Sequence, residues 1–367
     1  MNNQKNKQIN SVALYRFIAI LLVVYGHLVT VATYSYDIPD VIVGRLSAPI
    51  LSNNFLTIFD DFSSRFLHTN SGSLAVVMFF ITSGYLISKM MDRYSNKEFF
   101  LNRVISIFPT LWVSMLVVSL FIYLGQGLVL NKSDYLASMF PFWPRLSGQF
   151  VTNSLWTLRI ELKYYFLMLF IWKDKKNAIL FGYILIALLI IIYYEYREPW
   201  IYTHMFDLSY MCFSFLGMMV ECMGKIKLKE KIACISLLTI LNIILFKISV
   251  VLFQEDRGFY SSTMTHIIPI LLFFCLIELE EKRPSLFINL PGVISYIAKM
   301  SLPIYLNHVG CGLTVMYHLS RAGYSVYVTL LGGLLTVTVV SLTIYYLVTK
   351  PSTDIMRRCI GSMRNRN

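Results

Sequence analysis

Long apolar runs separated by short polar segments dominate the pattern of hydrophobic and polar positions along the chain. A membrane-spanning helix needs about 20 mostly apolar residues. Ten runs approach or exceed that length, and they lie near residues 12–33, 73–91, 104–124, 155–172, 178–194, 206–224, 232–253, 264–280, 294–319 and 326–348. The pattern predicts an all-α fold, a polytopic membrane bundle of about ten transmembrane helices.

The distribution of basic residues predicts which side of the membrane each loop faces. The chain has 32 Lys and Arg and 20 Asp and Glu, giving a net charge of +12. If the N-terminus is cytoplasmic and every predicted helix crosses, 21 of the 32 basic residues lie on the cytoplasmic side, seven on the other side and four within helices. This bias follows the positive-inside rule and predicts that both termini are cytoplasmic. It also argues against nucleic-acid binding as the reason for the positive charge.

Composition and the lack of internal repeats predict a single domain over residues 1–367. Hydrophobic residues make up 56% of the chain and charged residues only 14%, which excludes a disordered or disulfide-stapled small protein. Two long connections on the predicted outer side, 34–72 and 125–154, show neither a strong strand period nor a strong helix period. Loops of that length usually carry function or cover a site. We expect no appended soluble domain.

The sequence lacks the common patterns for metals, disulfides and nucleotide phosphates. The six cysteines fall in predicted helices or near the C-terminus, and no Cys-x-x-Cys pair occurs. A His-Glu-x-x-His motif, a phosphate-binding loop and a dinucleotide-binding glycine motif are likewise absent from the sequence. We therefore expect no metal site.

Two residues in the first predicted helix are unusual at membrane depth. Arg16 and His27 are eleven residues apart, which places them on one face of an α-helix and about 16 Å apart along its axis. Ionisable groups within a bilayer usually mark a functional site. The pair fits either a snorkelling arginine with a hydrogen-bonded core histidine, or an anion-binding residue with a histidine general base.

The fourth predicted helix concentrates aromatic and charged residues: Trp156, Arg159, Glu161, Lys163, Tyr164 and Tyr165. Arg159 and Lys163 share one helix face at a spacing of four, whereas Glu161 lies on the face of the two tyrosines. A carboxylate within the membrane needs a partner. We predict that partner on another helix, with Arg16 and His27 as candidates; a purely structural ion pair is the alternative.

Two further segments place small or polar residues inside predicted helices. The stretch from Phe79 to Ile87 contains Ser83, Gly84 and Tyr85. Its small residues allow the close approach of a ligand or of another helix. The stretch from Ser301 to His308 contains Pro303, Tyr305, Asn307 and His308. Proline within a spanning helix frees a carbonyl and kinks the helix, so this stretch predicts either a substrate cavity or a satisfied structural kink.

Five motifs in chain order resemble those of the acyltransferase-3 family of integral membrane O-acyltransferases. They are Arg16-x10-His27, Phe79 to Ile87, Phe99 to Pro109 with Arg103, Trp156 to Tyr164 with Glu161, and Ser301 to His308. The resemblance extends over residues 10–351, almost the whole chain. The family usually has arginines where this chain has Asn102 and Ser106, and an acidic motif where it has Lys350-Pro351.

The resemblance implies an activity and a location. Family members typically move an acyl group, most often acetyl, from cytoplasmic acyl-coenzyme A to a hydroxyl of a cell-surface glycan. The chain is thus expected to be a multi-pass O-acetyltransferase of the bacterial inner membrane. Its donor substrate is expected to be acetyl-CoA, with no permanently bound cofactor. Its expected acceptor is an O-antigen lipopolysaccharide, an exopolysaccharide or a lipid-linked precursor of either.

The resemblance also assigns residue roles. The expected catalytic residues are His27, Arg16 and Glu161, with His27 as general base or transient acyl carrier and Glu161 orienting His27 or Arg16. Arg103 and Arg16 are expected to hold the phosphates of coenzyme A. The remaining substrate-binding or donor-binding residues are expected to be Ser83, Gly84, Tyr85, Trp156, Tyr305, Asn307 and His308, the last three on the acceptor side.

Two other function classes use similar features. A glycolipid or small-anion transporter or flippase also places Arg, Glu and His within the membrane, but it moves its substrate without covalent change. A glycan polymerase is also polytopic with large outer loops, but it needs no acyl donor. A requirement for acyl-coenzyme A distinguishes the expected acyltransferase from both.

Overall fold

A computed structural model of the chain describes residues 10–34, 51, 54–127, 129–141, 150–152, 154–171, 175–196, 199–224, 226–253 and 262–365. Every regular element within these ranges is helical, as the all-α prediction requires. The chain divides into two compact units. Unit 1 comprises Met1–Leu22, Phe66–Ser88 and Ile179–Ser301, and unit 2 comprises Val23–Arg65, Lys89–Ala178 and Leu302–Asn367.

The first half of the chain contains α1 (Asn10–Tyr25), the π-helical segment π1 (Gly26–Val31), α2 (Ala32–Tyr34), a 3₁₀ turn (Phe55–Thr57), α3 (Ile58–Leu67), α4 (Ser71–Met91), α5 (Asn96–Gln126), α6 (Lys132–Met139) and α7 (Leu155–Phe170). The second half contains α8 (Lys175–Tyr196), α9 (Pro199–Cys222), α10 (Leu228–Phe253), α11 (Thr263–Lys282), α12 (Ser285–Ile288), α13 (Gly292–Lys299), α14 (Ser301–Asn307), π2 (His308–Leu313), α15 (Thr314–Arg321), α16 (Val326–Ile344), π3 (Tyr345–Thr349) and α17 (Lys350–Arg364).

Helices occupy all ten predicted segments, and within the described residues six are long and apolar enough to cross a membrane. These six are Asn10–Tyr34, Ser71–Met91, Asn96–Gly125, Leu228–Ile248, Thr263–Lys282 and Val326–Arg364. The number of ten spans and the cytoplasmic placement of both termini stay predictions. The prediction of one helix over 294–319 is wrong, because a turn at Met300 and the π-helical segment π2 divide it into several pieces.

The two long connections, which show no strong strand or helix period, contain short helices. The connection 34–72 contains the 3₁₀ turn and α3, and the connection 125–154 contains α6. Helix α3 was missed because its apolar positions form an aromatic row on one side of a short helix. A search for apolar runs of about 20 residues does not detect such a row. Residues 35–50 and 142–149 of these connections lie outside the described residues.

Within unit 1, helices α4 and α9 pack with their backbones in contact. A Cβ atom on Gly84 would lie 1.7 Å from the carbonyl oxygen of Ser214, and a Cβ atom on Gly217 would lie 2.0 Å from the carbonyl oxygen of Ile81. Only glycine permits this approach. One side of Gly84 therefore contacts a neighbouring helix, and its predicted contact with a substrate stays a prediction.

The N-terminus of α1 in unit 1 is capped from another helix. Glu280 of α11 accepts hydrogen bonds from the backbone N–H of Asn10 (3.1 Å) and from the N–H (3.0 Å) and hydroxyl (2.5 Å) of Ser11. The first turn of any helix leaves N–H groups unpaired, and a carboxylate also complements the positive end of the helix dipole. This contact fixes α1 against α11.

Within unit 2, the segment π2 lies close to both π1 and α5. A Cβ atom on Gly310 would lie 2.3 Å from the side chain of Val118 in α5. A Cβ atom on Gly312 would lie 3.0 Å from the side chain of Leu28 in π1. Gly310 thus lets π2 approach α5, and Gly312 lets it approach the segment that contains His27.

The contact between α4 and α9 generates a stability prediction. Gly217→Ala places a methyl group within 2.0 Å of a backbone oxygen, so we expect a loss of about 1–3 kcal/mol of stability. Gly72→Ala in the N-terminal turn of α4 is the matched control, because its new methyl group would meet only Asn70 at 3.6 Å. Thermal unfolding of the detergent-solubilised protein measures both variants. Equal melting temperatures for the two would contradict the close packing.

Candidate active site

Two histidines of unit 2 are in direct contact, and each lies at or next to the start of a π-helical segment. His27 is the second residue of π1 and His308 is the first residue of π2. His27 Nδ1 lies 3.1 Å from His308 Nε2, and the ring centroids are 4.9 Å apart with the planes inclined at 68°. π-Helical segments occur frequently at functional sites. The structure therefore brings together one predicted catalytic residue and one predicted binding residue.

Each histidine is also bonded to the backbone of its own helix. His27 Nδ1 lies 2.9 Å from the carbonyl oxygen of Val23, and His308 Nδ1 lies 2.8 Å from the carbonyl oxygen of Tyr305. His308 is fully buried. Both rings are thus held at Nδ1 by an acceptor one helical turn earlier.

Tyr305, three residues before His308, connects α14 to α7. The hydroxyl of Tyr305 donates to the carbonyl oxygen of Ser154 (2.9 Å) and lies 2.5 Å from the hydroxyl of Thr157 in α7. Tyr305 also packs against His308, with ring centroids 5.6 Å apart. Tyr305 therefore joins the first turn of α7, next to the predicted binding residue Trp156, to the pair of histidines.

Asn307 is fully buried and bonded on every side. Its amide nitrogen donates to the Ser114 hydroxyl (3.0 Å) and to the Pro303 carbonyl (2.7 Å), and its oxygen accepts from Cys311 Sγ (3.9 Å). These bonds account for both N–H groups of the amide. The structure thus favours the satisfied-kink interpretation for Asn307, which ties α14 to α5.

Glu161 and Arg103 interact with the same tyrosine of unit 2. The hydroxyl of Tyr165 donates to Glu161 one turn earlier in α7, which agrees with the predicted shared face. The guanidinium carbon of Arg103 lies 5.3 Å from the centroid of the Tyr165 ring, within the range of a cation–π interaction. The predicted partner of Glu161 on another helix stays a prediction.

Asn102 holds Arg103 in this position. Its side-chain oxygen accepts from Arg103 Nη2 (2.6 Å) and Nε (3.2 Å). Asn102 is buried, and its amide nitrogen lies 3.1 Å from the sulfur of Met356 in α17. The asparagine that stands in place of a family arginine therefore serves as an acceptor for the neighbouring arginine.

The other predicted site residues lie in unit 1. Arg16 Nη2 donates to the hydroxyl of Ser301, 2.5 Å away. Ser83 and Gly84 are in α4, and Tyr85 is buried with its ring edge-on to Phe273, 5.3 Å between centroids. Roles for these four residues in binding or catalysis stay predictions.

Sequence reasoning missed several residues that support the site. Ser114, Ser154 and Thr157 fix Asn307 and Tyr305, but isolated Ser and Thr in apolar helices give no distinctive pattern. Gly310 and Gly312 offered a usable signal, because small residues in an apolar helix permit close approach of neighbouring helices. The contact of His27 with His308 joins residues 281 positions apart, which no periodicity predicts.

Comparison with known proteins places these motifs in a family. The family described as "Acyltransferase domain", of the acyltransferase-3 type, matches residues 9–349. The "Nodulation protein 10" of Rhizobium leguminosarum bv. viciae is 30% identical over 127 residues, which cover 28% of this chain and 35% of that protein. The aligned region thus spans about a third of the relative's length. No solved structure matches the chain. Because the family match covers nearly the whole length, the chain belongs to the acyltransferase-3 family of membrane acyltransferases.

Proposed function

We propose that the chain transfers an acetyl group from cytoplasmic acetyl-coenzyme A to a hydroxyl of a cell-surface polysaccharide or its lipid-linked precursor, with His27 as general base. The observation that carries this proposal is the bond between His27 Nδ1 and the Val23 carbonyl. A carbonyl oxygen only accepts, so Nδ1 carries the ring proton. The lone pair of the neutral ring is then on Nε2, where it is available to a substrate hydroxyl.

The proposed reaction is a direct acyl transfer. His27 Nε2 removes the proton of the acceptor hydroxyl while the oxygen of that hydroxyl attacks the thioester carbonyl of the donor. A carbon–oxygen bond forms and the carbon–sulfur bond breaks. The proton on His27 then passes to the leaving thiolate of coenzyme A, which restores the neutral ring. Proton gain and loss at one imidazole thus balance over the cycle.

Arg103 is the proposed phosphate ligand for the donor. Asn102 and the ring of Tyr165 hold its guanidinium group, and an oriented guanidinium suits a phosphate better than a mobile ammonium does. Arg16, bonded to Ser301, is proposed as a second donor ligand. Both lie at the helix ends that the positive-inside rule assigns to the cytoplasm, where acetyl-coenzyme A is found.

Tyr305 is the proposed acceptor-side residue closest to the chemistry, because it packs against His308. Asn307 serves the kink instead, since its amide is used by protein partners. The acceptor is proposed to reach His27 from the side opposite the N-terminus. The proposed location is the bacterial inner membrane, with the acceptor on its outer side.

The role of His27 predicts a loss of acyl transfer without a loss of folding. His27→Ala removes the base, so we expect transfer of labelled acetyl from acetyl-coenzyme A to extracted glycan to fall by about 100-fold or more. The assay uses membranes that contain equal amounts of wild type or variant. His318→Ala is the matched control, because His318 is exposed on α15 and has no assigned role.

Two outcomes contradict the proposal. Normal acetyl transfer by membranes with His27→Ala would exclude His27 as base. Movement of unmodified glycolipid across vesicles without any dependence on acetyl-coenzyme A would identify a flippase instead.

The role of Arg103 predicts a selective effect on the donor. Hydrogen bonds to charged groups contribute about 1.5–3 kcal/mol, so we expect Arg103→Ala to raise the KM for acetyl-coenzyme A by roughly 10- to 100-fold. Arg103→Lys should give a smaller rise, because it keeps the charge but not the planar geometry. Arg358→Ala is the control, since Arg358 is exposed on α17. An unchanged donor KM in Arg103→Ala would contradict this role.

A further inference from the structure

We propose that His308 is a positioning residue. Its Nε2 accepts a hydrogen bond from the Nδ1–H group of His27 and thereby holds the base in its reactive tautomer. This inference rests on the proposed function of His27. It follows from the acceptors around the two rings.

The backbone fixes the proton on each ring. Val23 O and Tyr305 O lie 2.9 Å and 2.8 Å from the Nδ1 atoms of His27 and His308. Because a carbonyl oxygen has no proton to give, both Nδ1 atoms are the donors. In the neutral rings, both Nε2 atoms then have a free lone pair.

The hydrogen bond between the two histidines has only one possible direction, from His27 to His308. His308 Nε2 is the lone-pair atom and His27 Nδ1 is the N–H atom, and they lie 3.1 Å apart. The N–H group of His27 is therefore shared between the Val23 carbonyl and His308. If the proton of His27 moved to Nε2, both Nδ1 contacts of His27 would face lone pairs, so this tautomer is disfavoured.

The same arrangement supports the charge that forms during the reaction. When His27 Nε2 takes the substrate proton, the imidazolium still donates from Nδ1 to two neutral acceptors. A hydrogen bond from a charged donor is stronger than one from a neutral donor, and the low dielectric of a buried site strengthens it further. His308 thus acts on the reaction through His27 and needs no contact with the substrate.

Nitrogen NMR on the wild-type protein tests the tautomers directly. The full-length protein is labelled with ¹⁵N-histidine in lipid vesicles, and His27→Ala and His308→Ala identify the two residues by difference. We expect both neutral rings to be protonated on Nδ1. A proton on Nε2 of either ring would overturn the inference, whether or not the protein transfers acetyl groups.

Paired variants test the effect on the reaction. His308→Gln keeps an acceptor oxygen near the Nε2 position, whereas His308→Ala removes it. We expect His308→Ala to lower kcat by about 10- to 100-fold at an unchanged KM for acetyl-coenzyme A, and His308→Gln to recover most of the rate.

The outcomes of the two tests separate the claims. Equal losses of kcat in the Gln and Ala variants would overturn the positioning role, because the acceptor atom would then not matter. If His27→Gln is active while NMR of the wild type shows both rings protonated on Nδ1, His27 is not the base. The hydrogen bond between the histidines would then still stand.

A second inference concerns α3, whose phenylalanine side is exposed although two of its polar residues are buried. Ile58, Phe59, Phe62 and Phe66 are 45–69% exposed, whereas Asp60 and Ser63 are 3% and 2% exposed. At about 100° per residue, the three phenylalanines and Ile58 form one stripe. Ten residues extend about 15 Å, which is too short to cross a bilayer.

The polar side of α3 is bound to the end of the first helix. Asp60 accepts from the hydroxyl of Thr30 in π1 at 2.6 Å, and Asp61 accepts from the hydroxyl of Tyr34 at 2.8 Å. These bonds remove two carboxylates from the apolar side. They fix α3 at the end of the helix that contains His27.

The aromatic side of α3 is continuous with the ends of membrane-spanning helices. Phe59 contacts Tyr25 edge-on at 5.9 Å, and Phe55 lies 6.3 Å from Tyr327 at the start of α16. Leu331, one turn further along α16, is 57% exposed within a candidate span. We infer that α3 is an interfacial helix whose phenylalanine stripe inserts into the hydrocarbon of the leaflet on the side opposite the N-terminus.

Photo-crosslinking in native membranes tests this surface. Benzoylphenylalanine replaces Phe62 in the stripe, Ser64 on the opposite side of α3, or Leu331 as the positive control. We expect phospholipid adducts from positions 62 and 331, and at least fivefold less from position 64. Crosslinks from position 62 to another protein or to a second copy of the chain would overturn the inference, as would equal lipid labelling at positions 62 and 64.

Discussion

The hydrogen bond that shares the Nδ1 proton of His27 between a backbone carbonyl and His308 is the interaction on which the proposed chemistry depends. It leaves one nitrogen of His27 basic. Both histidines lie in π-helical segments. Single π-helical turns within α-helices are rare and occur frequently at functional sites, and here two of them contain the paired histidines.

The elements around this pair hold it through hydrogen bonds and close packing. Asn307 ties α14 to α5, Tyr305 ties it to the first turn of α7, and Gly310 and Gly312 let π2 approach its neighbours. A buried polar group is stable only when it is bonded, and each of these polar residues has a protein partner. The residues of the motif from Ser301 to His308 therefore have different roles. Tyr305 and Asn307 set the position of the segment, and His308 contacts the proposed base.

The sequence predicted the fold class and the helical segments because apolar length is a local property. It predicted the shared face of Glu161 and Tyr165 for the same reason, since a spacing of four is enough. It did not predict α3, whose aromatic row occupies only one side of a short helix. It did not predict the break at Met300 or the π-helical segments, because an apolar pattern fits α and π turns almost equally well.

Local sequence patterns could not predict the contact of His27 with His308, because that contact depends on how distant parts of the chain pack. The family resemblance named both residues without relating them. The geometry adds the relation and assigns His308 a positioning role beside His27. Arg103 shows the same limit, since the value of Asn102 as its acceptor appears only when the side chains are placed.

The most direct test of the central claim is the acetyl content of the surface polysaccharide, measured by mass spectrometry in cells that lack this chain and are complemented with wild type or with His27→Ala. The account predicts that acetyl groups disappear from the glycan when the chain is absent, return with wild type and do not return with His27→Ala at equal protein level in the membrane. A glycan with the same acetyl content in all three strains would contradict it.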